Sequence, residues 1–433
     1  MSNNTYNRVQ FNPLIKEDIK IDSPAGIYLH IPFCIRKCPY CDFYSTNDIS
    51  LKEAFVSSLI KEIELRSSPA LLVDTLYLGG GTPSLLSCKE LQKIVKAVEK
   101  NFHFVDKFQN LQITMEVNPG TVTYSYLKDI REVGINRLSI GAQSFQDKRL
   151  SFLKRIHSAK AAHQAVLSAR DAGFNNIGVD LIYALPEENT SVWLNDLEAA
   201  TNYFPEHISC YMLSYEPDTP MFVTYKSGKI IPLDDEKSAE LFKFTSQYLI
   251  SKGFSHYEIS NFASTLKHQS IHNKKYWDMS EYFGFGPSAH SYCSIDSSDG
   301  YSFQRCWNIK DVKSYISSLN KGLLPVAEKE TLTDEQKLIE MIMVGLRTDN
   351  GIDIKSFENL YFDCLPKKQK ITKTRGESYA VGELFKIIFK PVLDRIEKGS
   401  WGKIEQNRFK LNIDGWLFMD TILKWFVEQI DLN

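Results

Sequence analysis

No apolar run in this chain approaches the eighteen or so residues that a membrane-spanning helix needs. Charge of one sign is missing as well. With 51 Lys and Arg against 53 Asp and Glu, the formal net charge of -2 gives no bulk attraction to nucleic acid or to an anionic membrane. The one dense basic run, at 367–375, lacks any phosphate-loop pattern and reads as a solvated loop. Cysteine is sparse, eight in 433 residues, and Cys88, Cys210, Cys293, Cys306 and Cys364 are scattered. That excludes the disulfide framework of a small secreted protein and points to a reducing cytoplasm. Residues 1–22 are polar, without the apolar stretch of a signal peptide, and are expected to form an arm or a short cap. No GxGxxG, no GK[ST] and no solenoid-length repeat is present.

The remaining three cysteines stand together. Cys34, Cys38 and Cys41 form a CxxxCxxC loop directly after a short apolar run that ends at Pro32. Thiolates at this spacing can converge on a soft metal centre. On a four-iron cluster, three local cysteines would leave one iron open to a small molecule. A structural zinc is the competing reading, and it would have to recruit a fourth ligand from His30 or from outside the loop.

Strand and helix patterns alternate from there. Strands are expected at 26–31, 73–78, 111–116, 137–140, 177–181 and 207–212. Apolar residues at helical spacing fall between them, as in Leu51, Phe55, Leu59 and Ile63. Six such pairs predict a parallel sheet with helices outside. Residues 234–252 read as a helix and 254–262 as an extended piece. Beyond about residue 331 the pattern turns mostly helical: helices at 335–346, 382–398 and 416–430, with an extended piece at 409–413. The fold expected is an α/β partial (β/α)6 barrel with a smaller, mostly helical C-terminal domain. Its parts would be an arm (1–25), the barrel (26–260), an extension (261–325) and the C-terminal domain (326–433).

Polar residues collect at strand ends, which in barrels is the face where chemistry gathers. Gly79-Gly80-Gly81-Thr82-Pro83 follows the second strand, where glycines admit a ligand close to the backbone; a tight strand-to-helix turn would look the same. Glu116 closes the third strand, and Gln143, Arg155 and Asp180 follow in similar places. Each alone is as well explained by a structural role.

Taken together, the HIPFCxxxCxYCDF loop, GGGTPS, ExNPG, RLSIGAQSF and DLIYALP at 180–186 resemble, over nearly the whole chain, the radical S-adenosylmethionine (SAM) proteins of the oxygen-independent coproporphyrinogen oxidase group. The resemblance implies a [4Fe-4S] cluster on Cys34, Cys38 and Cys41, with SAM on the open iron. By motif position Tyr28, Gly80 and Glu116 would contact that SAM. Tyr40, Gly81, Thr82, Gln143, Arg155 and Asp180 match positions that hold SAM or a second SAM.

One position divides the group. The oxidases resemble CxxxCxxCxC, and here the last cysteine is replaced by Phe43. Its loss is typical of the HemW-type heme chaperones, whose HNxxYW signature matches His272-Asn273-Lys274-Lys275-Tyr276-Trp277. Neutral imidazole is a good axial ligand for heme iron, and aromatic rings offer flat apolar surface to a porphyrin. His272 is therefore the expected heme ligand, with His290 in GFGPSAHS as its competitor. Cys38-Pro39 could bind heme as a thiolate, but Cys38 is better spent on the cluster. The resemblance implies a chaperone that passes heme to apo-hemoproteins, among them respiratory ones. It leaves homodimer formation and peripheral membrane contact open. The alternative is the oxidase itself, which would use a 5'-deoxyadenosyl radical to convert two propionates of coproporphyrinogen III to vinyl groups. Radical SAM methylation of an aromatic substrate is a third reading.

Overall fold

The computed structural model describes residues 24–297, 300–364 and 381–430. The expected arm at 1–22 and the basic run at 367–375 lie outside the described residues. From Ala25 onward the chain alternates β1 (Ala25–Ile31), α1 (Lys52–Leu65), β2 (Ser68–Gly80), α2 (Cys88–Asn101), a short β3 (Phe102–Phe104), β4 (Gln112–Val117) and α3 (Tyr124–Glu132). It continues with β5 (Arg137–Gln143), α4 (Asp147–Phe152), α5 (Ala159–Asp171), β6 (Ile177–Tyr183), α6 (Thr190–Thr201), β7 (His207–Met212), α7 (Pro220–Lys226) and α8 (Asp235–Ser251). Strands β1, β2, β4, β5, β6 and β7 lie side by side in that order, each pair parallel.

The two faces of this sheet differ in chemistry, and that difference is what makes it a barrel wall. One row in register runs Leu29, Leu78, Met115, Leu138, all fully buried in the core that includes Leu59, Ile63, Leu91 and Val98 of the helices. The row beside it runs Tyr28, Tyr77, Thr114, Arg137. A doubly wound sheet buries apolar residues on both faces. Here the second face is polar and encloses a lumen. The outer helices start where the chain supplies caps: Ser87 with Glu90, Ser158, Asn189 and Asp234 each accept a backbone N–H, worth about 1 kcal/mol apiece.

After α8 the structure departs from the expected pattern. The piece at 254–262 is a hairpin, β8 (Ser255–Glu258) and β9 (Asn261–Ala263), that continues the sheet beyond β7. Next comes a seven-residue helix, α9 (Ile271–Trp277), capped by Ser270. It crosses beneath β1 and β2 and closes the bottom of the lumen. Ile271 N–H donates to Gln112 Oε1 at 2.8 Å, and Lys275 Nζ reaches Asp74 at 2.9 Å and Pro24 O at 2.6 Å. Strand β10 (Tyr282–Phe285) then inserts parallel to β1, with Gly26 opposite Tyr282. It leads into the antiparallel β11 (His290–Ser297), β12 (Gly300–Asn308) and, after α10 (Val312–Asn320), β13 (Val326–Thr331).

A buried carboxylate ties this extension to the barrel. Glu62 of α1 accepts from Arg66 at 3.1 Å, Asn308 at 2.7 Å, Tyr315 at 2.7 Å and Gly286 N–H at 2.9 Å. Four donors offset the desolvation that would otherwise make such a group costly.

The C-terminal part holds α11 (Asp334–Gly345), α12 (Ile354–Cys364) and a small sheet of Ile352–Asp353, Arg408–Leu411 and Gly402–Glu405. The helix expected at 382–398 is two, Glu383–Ile388 and Lys390–Gly399, broken at Phe389 ahead of Pro391. The expected 416–430 helix is likewise split, into Ile413–Leu417 and Met419–Glu428. The β8–β9 hairpin docks here: Ile259 N–H donates to Arg347 O at 3.0 Å and Asp349 N–H to Tyr257 O at 3.1 Å. Among the described residues no helix is long and apolar enough to cross a membrane.

Candidate cluster and cofactor site

The cysteine loop leaves the C-terminal end of β1 and is pinched shut at its base. Thr46 N–H donates to Pro32 O at 2.7 Å, and Cys34 N–H to Thr46 O at 2.9 Å. Inside the pinch Cys34, Cys38 and Cys41 are free and half-buried. Two of the sulfurs face donors. Thr82 Oγ1 donates to Cys34 Sγ at 3.6 Å, and Arg155 to Cys38 Sγ at 3.5 Å. Burial, with neighbouring Cys38 and Cys34 adding to it, pushes Cys41 up to about 11. Three thiolates crowded this way need a cation among them.

The donor set fits an iron-sulfur cluster better than zinc. Among the described residues no group of three or more His, Cys, Asp or Glu side chains could hold a single metal ion. A closed zinc site needs four ligands at about 2.0–2.3 Å. His30, the sequence's spare ligand for zinc, is buried and committed, with Nδ1 3.1 Å from Tyr28 OH and Nε2 2.9 Å from Tyr44 O. Three thiols without a fourth ligand suit a cluster that keeps one iron open.

Beside the loop the strand ends enclose a cavity of about 530 Å³. Cys34, Cys38, Tyr40, Cys41, Gly80, Gly81, Thr82, Glu116, Gln143, Arg155 and Asp180 all line it. Gly80 has φ +109°, and a Cβ there would stand 2.6 Å from the His30 ring. Only glycine suits that backbone, and it lets Gly80 N–H reach Glu116 Oε2 at 3.1 Å. Tyr77 OH holds the other oxygen at 3.0 Å. Burial, and then the charge of Asp180, raises Glu116 to about 7. Asp180 accepts from Ser139 Oγ at 2.8 Å and is also raised by burial. Across from these acids Arg155 spans Cys38, Tyr40 OH at 3.4 Å and Gly141 O at 2.9 Å.

Three residues of this cavity wall carry an orphaned atom, Ser45 Oγ being the first. Gln143 Oε1 and Arg155 Nε are buried without a partner. Gln143 also has φ +64°, where the β5–β6 register shifts. A bulge at a strand end re-aims a side chain, and strain held there is a mark of functional sites. The wall thus offers carboxylates, a guanidinium and unused hydrogen-bonding capacity. That matches a ligand carrying both an amine and a carboxylate. Phe43, 68% exposed, stands at the mouth with Tyr211 and Met212.

Two expected site residues lie elsewhere. Tyr28 does not line the cavity; it sits on the inner face of β1, its ring 6.2 Å from that of His272. His272 lies on α9 in the closed floor, 1% exposed. Its Nδ1 is 3.0 Å from Thr75 Oγ1, its Nε2 is 3.1 Å from Tyr276 OH, and its ring stacks on Tyr77 at 5.2 Å. Burial lowers it to about 3, with Lys275 and Arg137 adding to the effect. His272, the expected heme ligand, thus has a partner on each ring nitrogen and is buried in the ligand-free chain. The sequence reading also passed over Tyr77 and Ser139, which lie opposite Tyr28 and Glu116 in register, and Tyr211, which lies opposite Ile182, two residues beyond Asp180.

The Radical SAM superfamily model matches residues 28–200. The chain is 34% identical over 338 residues to the heme chaperone HemW of Synechocystis sp., covering 76% of this chain and 79% of that one. It is 32% identical to the heme chaperone HemW of Bacillus subtilis, covering 77% and 86%. Among solved structures, the coproporphyrinogen III oxidase HemN of Escherichia coli aligns over 93% of this chain and 90% of its own, with a TM-score of 0.71 at 19% identity.

Proposed function

The chain belongs to the radical SAM superfamily and, within it, to the HemW family, and from that premise we propose that it is a heme chaperone, binding heme and passing it to apo-hemoproteins. Support comes chiefly from position 43. The oxidase pattern needs a cysteine there, and this chain instead presents an exposed phenylalanine at the cavity mouth.

Cys34, Cys38 and Cys41 would hold three irons of a [4Fe-4S] cluster, and SAM would occupy the adjoining cavity. When bound, this pair supplies one-electron chemistry at the open iron. The chain's own residues act on the ligand by charge. Glu116 and Asp180 would attract its cationic groups and Arg155 its carboxylate, while Gln143 Oε1 would offer an acceptor. Burial and Asp180 hold Glu116 above its ordinary range, and a cation bound beside it would favour its ionised form. In this reading SAM and the cluster govern folding or heme release rather than porphyrin decarboxylation.

The test pairs two assays on anaerobically reconstituted protein. One titrates hemin and follows the Soret band. The other supplies SAM, a reductant and coproporphyrinogen III and looks for divinyl product. Stoichiometric heme uptake, with transfer to an apo-hemoprotein and no product, is expected. Product formation at a catalytic rate would replace this reading with the oxidase.

A further inference from the structure

With His272 committed, the heme reading needs another ligand, and the histidines can be sorted by their partners. Of the nine, seven have at least one ring nitrogen engaged: His30, His157, His163, His207, His256, His268 and His272. Only His103 and His290 make no hydrogen bond among the described residues. His103 sits on the short β3 with no aromatic ring in contact. His290 is exposed, and its ring stacks on Trp307 at 5.6 Å with 25° between the planes.

Its place in the fold is informative. In register, Tyr28 of β1 faces Gly284 of β10, and His290 of β11 faces Trp307 of β12. His290 thus belongs to the sheet face that continues the lumen wall. Below it on that face Tyr292 stacks on Phe303 at 5.1 Å and on Tyr282 at 6.1 Å. These rings are packed under α11, where Lys337 lies over the Phe303 ring and Glu340 pairs with Arg305, so that His290 on Trp307 is the exposed edge of the cluster and carries its one uncommitted imidazole. A stacking partner covers the face of an imidazole and leaves its edge nitrogens free, as an axial ligand requires. Burial and then Arg305 lower His290, which favours the neutral form that binds iron. Lys310, exposed and outside the described ion pairs, follows the end of β12, and Ser288 N–H donates to Ile309 O at 3.1 Å beside it.

We propose that His290, oriented by Trp307 at the exposed edge of this sheet face, is the ligand to the iron of an incoming iron porphyrin. The assignment rests on the heme-chaperone reading and sharpens where that cargo is held.

The test is a hemin titration of the full chain with absorption and EPR readouts of the axial ligand. Wild type takes up one heme with a histidine signature. His290→Gly loses the signature and at least about ten-fold in affinity, and added imidazole restores the spectrum. His290→Met, which keeps a side chain in place, moves the signature toward thioether ligation. An unchanged spectrum in both variants overturns the assignment, as does loss in His268→Ala or His103→Ala instead; the chaperone reading survives either result. Wild type that takes up no heme removes both.

Discussion

At the mouth of the barrel Gln143 Oε1 and Arg155 Nε are buried without partners and three thiols stand free. At the floor, a few residues down the same strands, His272 has a partner on each nitrogen and aromatic rings around it. Both regions carry short polar signatures of the kind that invites a functional reading. The difference lies at the histidine itself: Trp277 Nε1, Thr114 Oγ1 and Arg137 Nε near the floor are also buried without partners, but both of His272's own nitrogens are engaged. A group that awaits a ligand keeps hydrogen-bonding capacity in reserve, whereas a structural one spends it internally. HNxxYW is distinctive in sequence, yet here its histidine serves as a keystone of the floor.

The largest effect that tests this contrast is at the mouth. Cys34→Ala should abolish the visible iron-sulfur absorption and reduce iron content from about four per chain, with the fold retained by circular dichroism. Retained absorption would show that the thiols are not the ligands. Next comes the floor. His272→Ala should cost about 2–4 kcal/mol in urea unfolding, from lost packing and two stranded hydroxyls, while hemin affinity holds. The reverse pattern, intact stability and lost heme, would invert the comparison.

A pH series sharpens it further. Glu116, held at about 7 against an ordinary 4.5, is more easily protonated in the fold than in the unfolded chain. Its contribution is fully present below about pH 4.5 and is lost as pH rises through 7, amounting to roughly 3 kcal/mol. Glu258, raised to about 7 by burial, has the same sign. Glu116→Gln should therefore remove its share of the stability that the buried, raised acids, Asp180 among them, lose as pH rises from 5 to 8. An unaltered slope would mean that Glu116 is already ionised in the fold. The smallest effect belongs to Phe43→Cys. It should shift stability by no more than about 0.5 kcal/mol, leave the cluster absorption in place and confer no porphyrinogen turnover.

The six strand–helix units could be read from the sequence because each is local. Apolar residues recur at the helix period, glycine and proline mark the ends, and the parallel order follows. The mouth was legible for a related reason: its residues sit on strand ends, and each strand end carries its own short motif. The floor was not. Nothing near His272 in sequence indicates that Thr75 and Gly26, about two hundred residues earlier, will close around it; Gly26 could not carry a Cβ without meeting His272 Nδ1 at 2.8 Å. Strand β10 was missed because four residues with a central glycine carry too little periodicity. Tyr77 was within reach, since it precedes Gly79 by two residues on one face.

The insertion of β10 beside β1 has a consequence for how the protein is made. Strand β1 carries the cysteine loop, and its second edge is paired only by Tyr282–Phe285. At about 5–20 residues per second of synthesis, that edge waits on the order of ten to fifty seconds after β1 is complete. Through that interval the nascent chain displays an open strand edge, which is a template for wrong pairing, directly before the loop that must receive iron. Proteolysis of ribosome-bound chains halted before Tyr282 and after Trp307 reads this directly: the first should be cut near β1 and the second protected.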